Sequence, residues 1–290
     1  MKGCGRDRDK VGQRKQTRAI FRTLISYLVL ITIAILMFLP FAWMISSSLK
    51  DPGVIFLLPP QWIPRPFRFD NYAEVWQLIP FLVLLYNSFK ISLLAVVGGL
   101  FSCSLAAYAF ARLRFPGRDV IFTLVLITLM VPPQVTMIPV FMLMRRIGWV
   151  DNHLALIVPT FLGGAFGTFL LRQFFMNIPG ELEEAAKIDG CSIPGIYFRI
   201  FLPLSKPALT TLAVFIFLYR WNDLLLPLIY LRTFEKMTLT VGLSLFQGLY
   251  SANWTALMAS AVISMIPTVI LYLAGQSYFE KGIAMTGIKG

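Results

Sequence analysis

A polar stretch, residues 176–206, lies between two strongly apolar segments and carries an ordered pattern of residue types. The pattern reads E-A-A-x3-G-x9-I-x-L-P, and its members are Glu184, Ala185, Ala186, Gly190, Ile200, Leu202 and Pro203. We expect the glutamate to supply a polar or ionic contact, the alanines to permit close approach and the glycine to make a turn. The stretch therefore predicts a docking surface for a partner in the aqueous compartment.

The same stretch has the signals that begin and end helices. Pro179 suits a first turn, and the glutamates that follow place negative charge near the positive end of the helix dipole. Gly190 fits the position after a helix, where the chain needs a positive φ. Ser192 can cap a second short helix that begins at Pro194 and ends at Pro203. The prediction is a rigid helix–glycine–helix loop.

The composition excludes an ordinary soluble domain. Of the 290 residues, 57% are hydrophobic and 14% are charged, and the mean hydropathy is +0.73. Soluble domains carry about 25% charged residues. The net charge of +12 would suggest nucleic acid in a soluble protein, but here it is assigned to loops that set membrane topology. We therefore predict a membrane protein that binds membrane lipid and no nucleic acid.

Six segments are long and apolar enough to cross a hydrocarbon core, which takes about 20 helical residues. The predicted fold is an all-α polytopic membrane protein, with a tail at 1–22 and one transmembrane domain over 23–290. The predicted spans are 24–46, 90–111, 119–143, 154–175, 207–230 and 256–279.

Three stretches outside these spans carry their own expectations. Residues 1–20 are basic and lack a hydrophobic period, which predicts a disordered tail near anionic lipid. The prolines of residues 49–80 exclude a long helix there. Residues 81–89 are interpreted as an interfacial helix that leads into the second span.

The distribution of Lys and Arg predicts the orientation. With the N-terminus inside, 17 basic residues fall on the cytoplasmic side and 7 on the outer side. Basic residues concentrate in cytoplasmic loops, so both termini and the 176–206 loop are predicted to be cytoplasmic. Arg145 and Arg146 oppose this rule without changing its outcome.

The pattern at 184–203 resembles the cytoplasmic coupling loop of permease subunits in ATP-binding-cassette importers. Residues 107–118 (AYAFARLRFPGR) are similar to an inner loop of the sugar-importer permeases, and Trp221-Asn222-Asp223 with 227–229 to their fifth helix. The ending 281–290 resembles the tail of the maltose-type second permease subunit. It reads Gly-Ile-Ala-Met-Thr-Gly where that family usually has Gly-Leu-Thr-Ala-Gly, so a tail contact with the ATPase is not carried over.

The resemblance implies the partners and the location. They are a second homologous permease, two ATP-binding-cassette ATPase subunits and an extracytoplasmic solute-binding protein, in a prokaryotic plasma membrane. The chain itself has no G-x-x-x-x-G-K-[ST] loop, catalytic constellation or metal-ligand cluster, so no cofactor, catalytic residue or metal site is assigned to it. ATP and Mg are expected on the partner ATPase.

Polar residues within or beside the spans are candidates for a substrate pathway or gate. They are Asn87, Arg220, Asn222 and Asp223. A charged side chain that faces lipid costs at least about 2.5–3.5 kcal/mol, so we expect Arg220 to face the protein interior or the outer surface. It stands three residues before Asp223, and the two could neutralise each other on one helical face. The alternative is a buried pair that fixes helix packing.

Glycines inside the spans are interpreted as packing positions, where small residues let helices approach closely. This interpretation covers Gly98 and Gly99 in the second span and the run Gly163–Gly167 in the fourth.

Two other function classes remain as alternatives. An ion-coupled secondary carrier would need intramembrane carboxylates, and Asp223 is the one acid well inside a predicted span. An integral-membrane enzyme would need a cluster of His, Asp or Cys side chains, which the sequence does not contain.

Overall fold

The computed structural model describes the backbone of residues 4–249 and 253–287, and side chains over 20–244 and 253–276. This part of the chain forms helices and turns and no strand, which confirms the predicted all-α fold. The α-helices, α1 to α14 in chain order, are Cys4–Ser48, Asp70–Leu78, Phe81–Arg112, Arg118–Ile127, Pro133–Arg146, Leu154–Ile157, Ala165–Met176, Gly180–Ile188, Ile193–Ile196, Leu202–Leu204, Lys206–Trp221, Leu225–Tyr230, Leu239–Leu249 and Trp254–Gly287. Short 3₁₀ turns occupy Pro52–Val54, Thr128–Met130, Val158–Leu162 and Phe234–Lys236, and a π-helical turn occupies Tyr197–Phe201.

Four helices of the described chain are long and apolar enough to cross a membrane, and six segments are if two bent pairs each count as one. The unbroken ones are Ile20–Ser48, Phe81–Arg112, Leu154–Met176 and Trp254–Gln276. Three of these match the predicted spans 24–46, 154–175 and 256–279 within about four residues at each end.

The second span is longer than the sequence predicts. The interpretation of residues 81–89 as a separate interfacial helix is wrong, because α3 runs without a break from Phe81 to Arg112. No proline or glycine interrupts the junction near residue 90, so the helical hydrogen bonds continue through it.

The third and fifth predicted spans are bent. In the third, α4 and α5 meet at 101°, at the break that contains Pro132 and Pro133. A proline lacks the N–H that a continuing helix needs, so the pair ends one helix and begins the next. The fifth is predicted over 207–230, but the bent segment found there joins Ile193–Leu204 to Lys206–Trp221 at 78°. α11 ends at Trp221, and a separate helix, α12, follows.

The N-terminal tail is the other correction. The sequence predicts disorder over residues 1–20, whereas α1 is helical from Cys4. Arg, Lys and Gln are good helix formers, and adding a turn to an existing helix is much easier than nucleating one. The apolar span that follows supplies that nucleus.

The chain divides into two compact units. The first ends at Tyr72 and also takes in Trp254–Val262. Within it, the Asn71 side-chain amide donates to the backbone carbonyls of Ser48 and Lys50, over 2.9 and 2.7 Å. These bonds hold the start of α2 against the end of α1 and fix the proline-rich loop between them.

The second unit, from Ala73 to Asn253 and again from Ile263, is built around α3. Two glycines let neighbouring elements approach this helix closely. A Cβ on Gly98 would lie 2.4 Å from the Phe161 ring, and one on Gly99 would lie 2.6 Å from Ile216 of α11. The predicted packing role of both glycines is confirmed, and α3 with α7 and α11 forms the scaffold that positions the site.

Candidate functional site

The polar stretch forms two short helical segments that meet at a glycine, and we name residues 180–204 the elbow. α8 ends in a Schellman motif, in which Cys191 N–H donates to the Ala186 carbonyl over 2.9 Å and Gly190 N–H to the Lys187 carbonyl over 3.1 Å. Gly190 has φ +78° and open space around its Cα, so its constraint is conformational and not steric. The predicted positive φ is confirmed.

The second half of the elbow begins at Ile193, one residue earlier than predicted, and ends at Leu204, one residue later. Ser192 Oγ accepts from Gly195 N–H over 3.3 Å and caps the helix. The helical path continues through a π turn, where Leu202 N–H donates to the Tyr197 carbonyl, and ends at Leu204. The missing N–H of Pro203 favours this wider turn immediately before it.

One side of α8 packs into the chain's own core. Ala186 is 7% exposed and lies in a cluster with Tyr108, Phe175 and Phe201. The small side chain of Ala186 lets α8 approach this core closely. Ala186 therefore fits against the chain's own core and not against a partner. Ile200 and Leu202 also pack against this cluster, whereas Pro203 is exposed.

A largely buried arginine joins the elbow to the scaffold. Arg112 ends α3, and its guanidinium lies 3.9 Å from the Glu183 carboxylate of α8. It also donates to the carbonyls of Phe175 and Ile178, at the end of α7, and lies 5.0 Å from the centre of the Phe201 ring. One side chain therefore links the ends of two spans to both halves of the elbow.

The partner of Arg112 is itself held in place. Glu183 is 8% exposed, and its other oxygen accepts from Lys187 Nζ over 2.7 Å, one turn along the same helix. Sequence reasoning missed Arg112 and Glu183 because both lie beside residues with a stronger pattern. The i,i+4 spacing of Glu183 and Lys187 was the available signal for the ion pair within α8.

The opposite side of α8 is exposed and partly apolar. Leu182 is 44% exposed and Ile188 is 87% exposed, with Glu184 and Ala185 also exposed between them. Two adjacent glutamates therefore lie in different surroundings, with Glu183 buried against the core and Glu184 exposed. An exposed apolar pair beside a free carboxylate is typical of an interaction site.

A cavity of about 840 Å³ lies among α3, α5, α7 and α11. Its wall is mostly small and apolar, with hydroxyls from Thr128, Thr160 and Tyr219 and one charged residue, Arg220, among the described residues. Phe166 and Phe215 pack edge to face in this wall, with ring centres 5.8 Å apart. Exposed aromatic faces with a few hydroxyls suit a polar, hydroxyl-rich solute.

The glycines of the fourth span have two different roles. Gly163 has φ +98° and interrupts the helix at the cavity wall, where a Cβ would meet no atom within 4 Å. Gly167 packs tightly, because a Cβ there would lie 2.8 Å from Cys103 Sγ. The predicted packing role therefore holds for Gly167, whereas Gly163 opens the backbone toward the cavity.

Arg220 and Asp223 form the ion pair that their spacing suggested. The guanidinium lies 3.3 Å from the carboxylate, and the two side chains are 14% and 10% exposed. They do not share one helical face, because α11 ends at Trp221 and the pair forms across the break. The second carboxylate oxygen accepts from Leu226 N–H over 3.2 Å, so Asp223 also satisfies a backbone donor in the first turn of α12.

The other predicted pathway residues lie in different surroundings. Asn87 is 4% exposed, and its amide donates to the carbonyls of Glu235 and Met237, over 2.8 and 3.1 Å. Asn222 donates to the Leu218 carbonyl, one turn back on α11, over 2.8 Å. Of the four predicted residues, Arg220 lines the cavity and Asp223 orients the Arg220 side chain. The two asparagines donate hydrogen bonds to backbone carbonyls.

The tail that resembles the maltose-type subunit falls largely outside the residues whose side chains the structure describes. The backbone of Gly282–Gly287 continues α14, the side chains of 277–287 are not described, and residues 288–290 lie outside the described chain.

Comparisons with known proteins agree with this arrangement. The family model described as "Binding-protein-dependent transport system inner membrane component" matches residues 98–285. The arabinooligosaccharides transport system permease protein AraQ of Halalkalibacterium halodurans is 35% identical over 246 residues, which cover 84% of this chain and 86% of that protein. The galactooligosaccharides transport system permease protein GanQ of Bacillus subtilis is 35% identical over 281 residues, covering 95% and 98%.

Solved structures of transporter chains share the fold of this chain. A chain of a bacterial ABC transporter involved in the import of the acidic polysaccharide alginate superposes with a TM-score of 0.79 and 28% identity. The superposition covers 91% of this chain and 98% of that one. A chain of the alginate transporter in complex with its pentasaccharide-bound periplasmic protein shares the fold, with a TM-score of 0.67 and 17% identity over 89% and 94% of the two chains.

Proposed function

Because this chain belongs to the family of binding-protein-dependent transport system inner membrane components, we propose that it forms half of the pathway of an ATP-driven importer for a sugar or sugar derivative. The oligosaccharide permeases among its relatives support this solute class. The observation that carries the proposal is the elbow, which is packed into the scaffold on one side and open on the other. A separate ATPase drives transport by moving this elbow.

The exposed side of α8 is the contact for the ATPase. Leu182 and Ile188 supply apolar area, Ala185 lets the partner approach closely, and Glu184 supplies a charged contact. Burial of apolar surface gives about 25 cal/mol per Å², so two such side chains contribute a useful part of a docking energy. The carboxylate between them selects a partner with a basic group.

The buried side of the elbow transmits the movement. Ala186 and Glu183 fix α8 to the core, and Arg112 connects it to the ends of α3 and α7. Close-packed elements move as rigid bodies and transmit strain. A displacement of α8 therefore reaches α7 and α11, which both line the cavity, and changes access to it.

The remaining partners and the orientation follow from the same proposal. A second homologous permease completes the cavity, two ATPase subunits bind ATP and Mg, and an extracytoplasmic solute-binding protein delivers the solute. Both chain termini and the elbow lie on the cytoplasmic side, where the excess of basic residues supports this orientation.

The ion-coupled carrier receives no support. Its carboxylate would have to exchange a proton or cation during transport. Asp223 instead uses one oxygen on Arg220 and the other on Leu226 N–H, so both are committed within the protein.

A charge reversal on α8 tests the proposal. Glu184→Lys should abolish uptake of labelled oligosaccharide, with normal amounts of the chain in the membrane and loss of the co-purifying ATPase. Glu235→Lys, the same charge reversal on an exposed glutamate outside the elbow, is the matched control and should retain most uptake. Normal ATP-dependent uptake and ATPase recovery with Glu184→Lys would contradict this docking site.

A further inference from the structure

A second cleft lies where the chain passes from one candidate span to the next. α3 ends at Arg112 and α4 begins at Arg118, and both helices belong to segments able to cross a membrane. The five residues between them therefore lie near the depth of the lipid headgroups. The cleft has a volume of about 470 Å³ and is lined by Arg114, Phe115, Gly117, Arg118, Asp119 and Val120.

The charges of this cleft do not cancel. Arg118 donates twice to the neighbouring Asp119 carboxylate, over 3.0 and 3.3 Å, so that pair is neutral and its guanidinium is held in place. Arg114 is exposed and has no acceptor among the described side chains and backbone. The cleft therefore retains one positive charge with free N–H donors.

The neighbouring arginines are already committed within the protein. Arg172 donates to the Phe110 carbonyl over 3.3 Å and lies 4.1 Å from the centre of the Phe122 ring. Arg112 is engaged by the end of α7 and by Glu183. Both add positive potential to this end of the molecule, but Arg114 is the one directed into the cleft with donors to spare.

We propose that this cleft binds the phosphate of an anionic phospholipid headgroup. A guanidinium presents N–H donors in a fork that matches two phosphate oxygens, and basic pockets beside spans on the cytoplasmic side bind anionic headgroups. Phe115 and the 66% exposed Val120 supply apolar wall for the glycerol and the start of the acyl chains. The volume is within the range of about 300–1,000 Å³ typical of small-molecule sites.

Lipid retention on the purified full-length chain, with whatever subunits co-purify, tests this site. The protein is exchanged into mild detergent with equimolar phosphatidylglycerol and phosphatidylcholine, and bound lipid is counted by native mass spectrometry. We expect phosphatidylglycerol to be retained over phosphatidylcholine. Arg114→Gln should reduce that retention about fivefold, because one basic residue near an anionic headgroup contributes about that factor.

Two further variants separate this site from general charge effects. Arg114→Lys keeps the charge and should restore most of the retention. Arg145→Gln removes an exposed arginine from the last turn of α5 and should leave retention unchanged. Equal loss with Arg145→Gln, or full retention with Arg114→Gln, would overturn the proposal.

Inorganic phosphate distinguishes the two sources of the same chemistry. If added phosphate displaces little phosphatidylglycerol, the lipid site is supported, because the apolar wall then contributes to binding. Displacement at equal concentration would show that the cleft recognises free phosphate, and the lipid assignment would fail. The test does not involve transport, so it stands or fails apart from the proposed function.

Discussion

At one end of the fourth span, Leu154–Met176, a surface aspartate gathers the neighbouring loop around itself. Asp151 has φ +59° and accepts from the backbone N–H groups of Arg232 and Thr233, from Thr233 Oγ1 and from Lys236 Nζ, over distances of 2.6–2.9 Å. Its side chain is 25% exposed, so this network, the loop clamp, lies at the surface.

At the other end of the same span, charge is buried. The Arg112 and Glu183 side chains are 14% and 11% exposed, and they connect α3, α7 and α8. Their contacts lie against the aromatic core that holds Ala186 and Phe201.

The difference indicates what each end is for. The loop clamp uses its donors and acceptors on the chain itself and is locally complete. The elbow directs Glu183 to the core and leaves Glu184, Leu182 and Ile188 exposed, as the proposed docking surface requires. Disrupting the elbow should therefore affect transport, and disrupting the loop clamp should affect mainly stability.

The largest expected effect is that of Gly190→Pro. Proline fixes φ near −65°, whereas Gly190 has φ +78° and donates its N–H to Lys187. The Schellman motif is lost and the two halves of the elbow change direction, so uptake should fall to background while the chain still inserts in the membrane. Uptake assays with immunoblots of the membrane fraction measure both. Gly180→Ala, at a helical glycine with open space, should be near wild type.

The next effect is that of Arg112→Ala. It leaves the Glu183 carboxylate buried with Lys187 as its remaining partner and removes the donors to Phe175 and Ile178. Removing one partner of a buried pair costs about 3–5 kcal/mol, and the expected loss is at the lower limit because Lys187 remains. Thermal unfolding in detergent reports it, and Arg145→Ala is the exposed control. Equal melting temperatures for these two variants would contradict the proposed link.

A smaller effect is expected for Asp151→Asn. Asparagine tolerates a positive φ and retains one acceptor oxygen, so the loop keeps its path but loses the charge that Lys236 contacts. Exposed charged contacts are worth about 1 kcal/mol or less. We expect a drop of a few degrees in melting temperature with uptake nearly unchanged. A complete loss of uptake would remove the distinction between the two ends.

The smallest effect is the pH dependence of the difference in melting temperature between wild type and Asp151→Asn. Hydrogen bonds from the Thr233 side chain and backbone, and then from Lys236 and Arg232, hold the pKa of Asp151 well below its ordinary value. A depressed carboxyl pKa stabilises the folded state fully above the unfolded pKa of about 3.9 and less as the pH falls below it. Wild type and Asp151→Asn should therefore differ in melting temperature at pH 7 and converge as the pH falls below about 4. A constant difference across this range would exclude the charge as its cause.

Local signals in the sequence were sufficient for much of the elbow. Gly190 after a helix and Ser192 before one act within a single turn of backbone, so their types predict their conformations. The sequence did not predict which side chains of α8 are buried. Nothing local distinguishes Glu183 from Glu184, because their environments depend on Arg112, which lies about 70 residues earlier in the chain.

The spans show the same division. Hydropathy alone located the six apolar segments, because a helix that crosses lipid must satisfy its backbone internally and cover itself with apolar side chains. Hydropathy did not predict the break at Trp221, where Asp223 pairs with Arg220 and accepts from Leu226 N–H in the first turn of α12. The sequence by itself determined the class, the positions of three unbroken spans and the turn at Gly190, whose causes are local or compositional. Only the tertiary structure decided which charges are buried, where the cavity lies and which side of α8 is open, because these depend on contacts between residues distant in the chain.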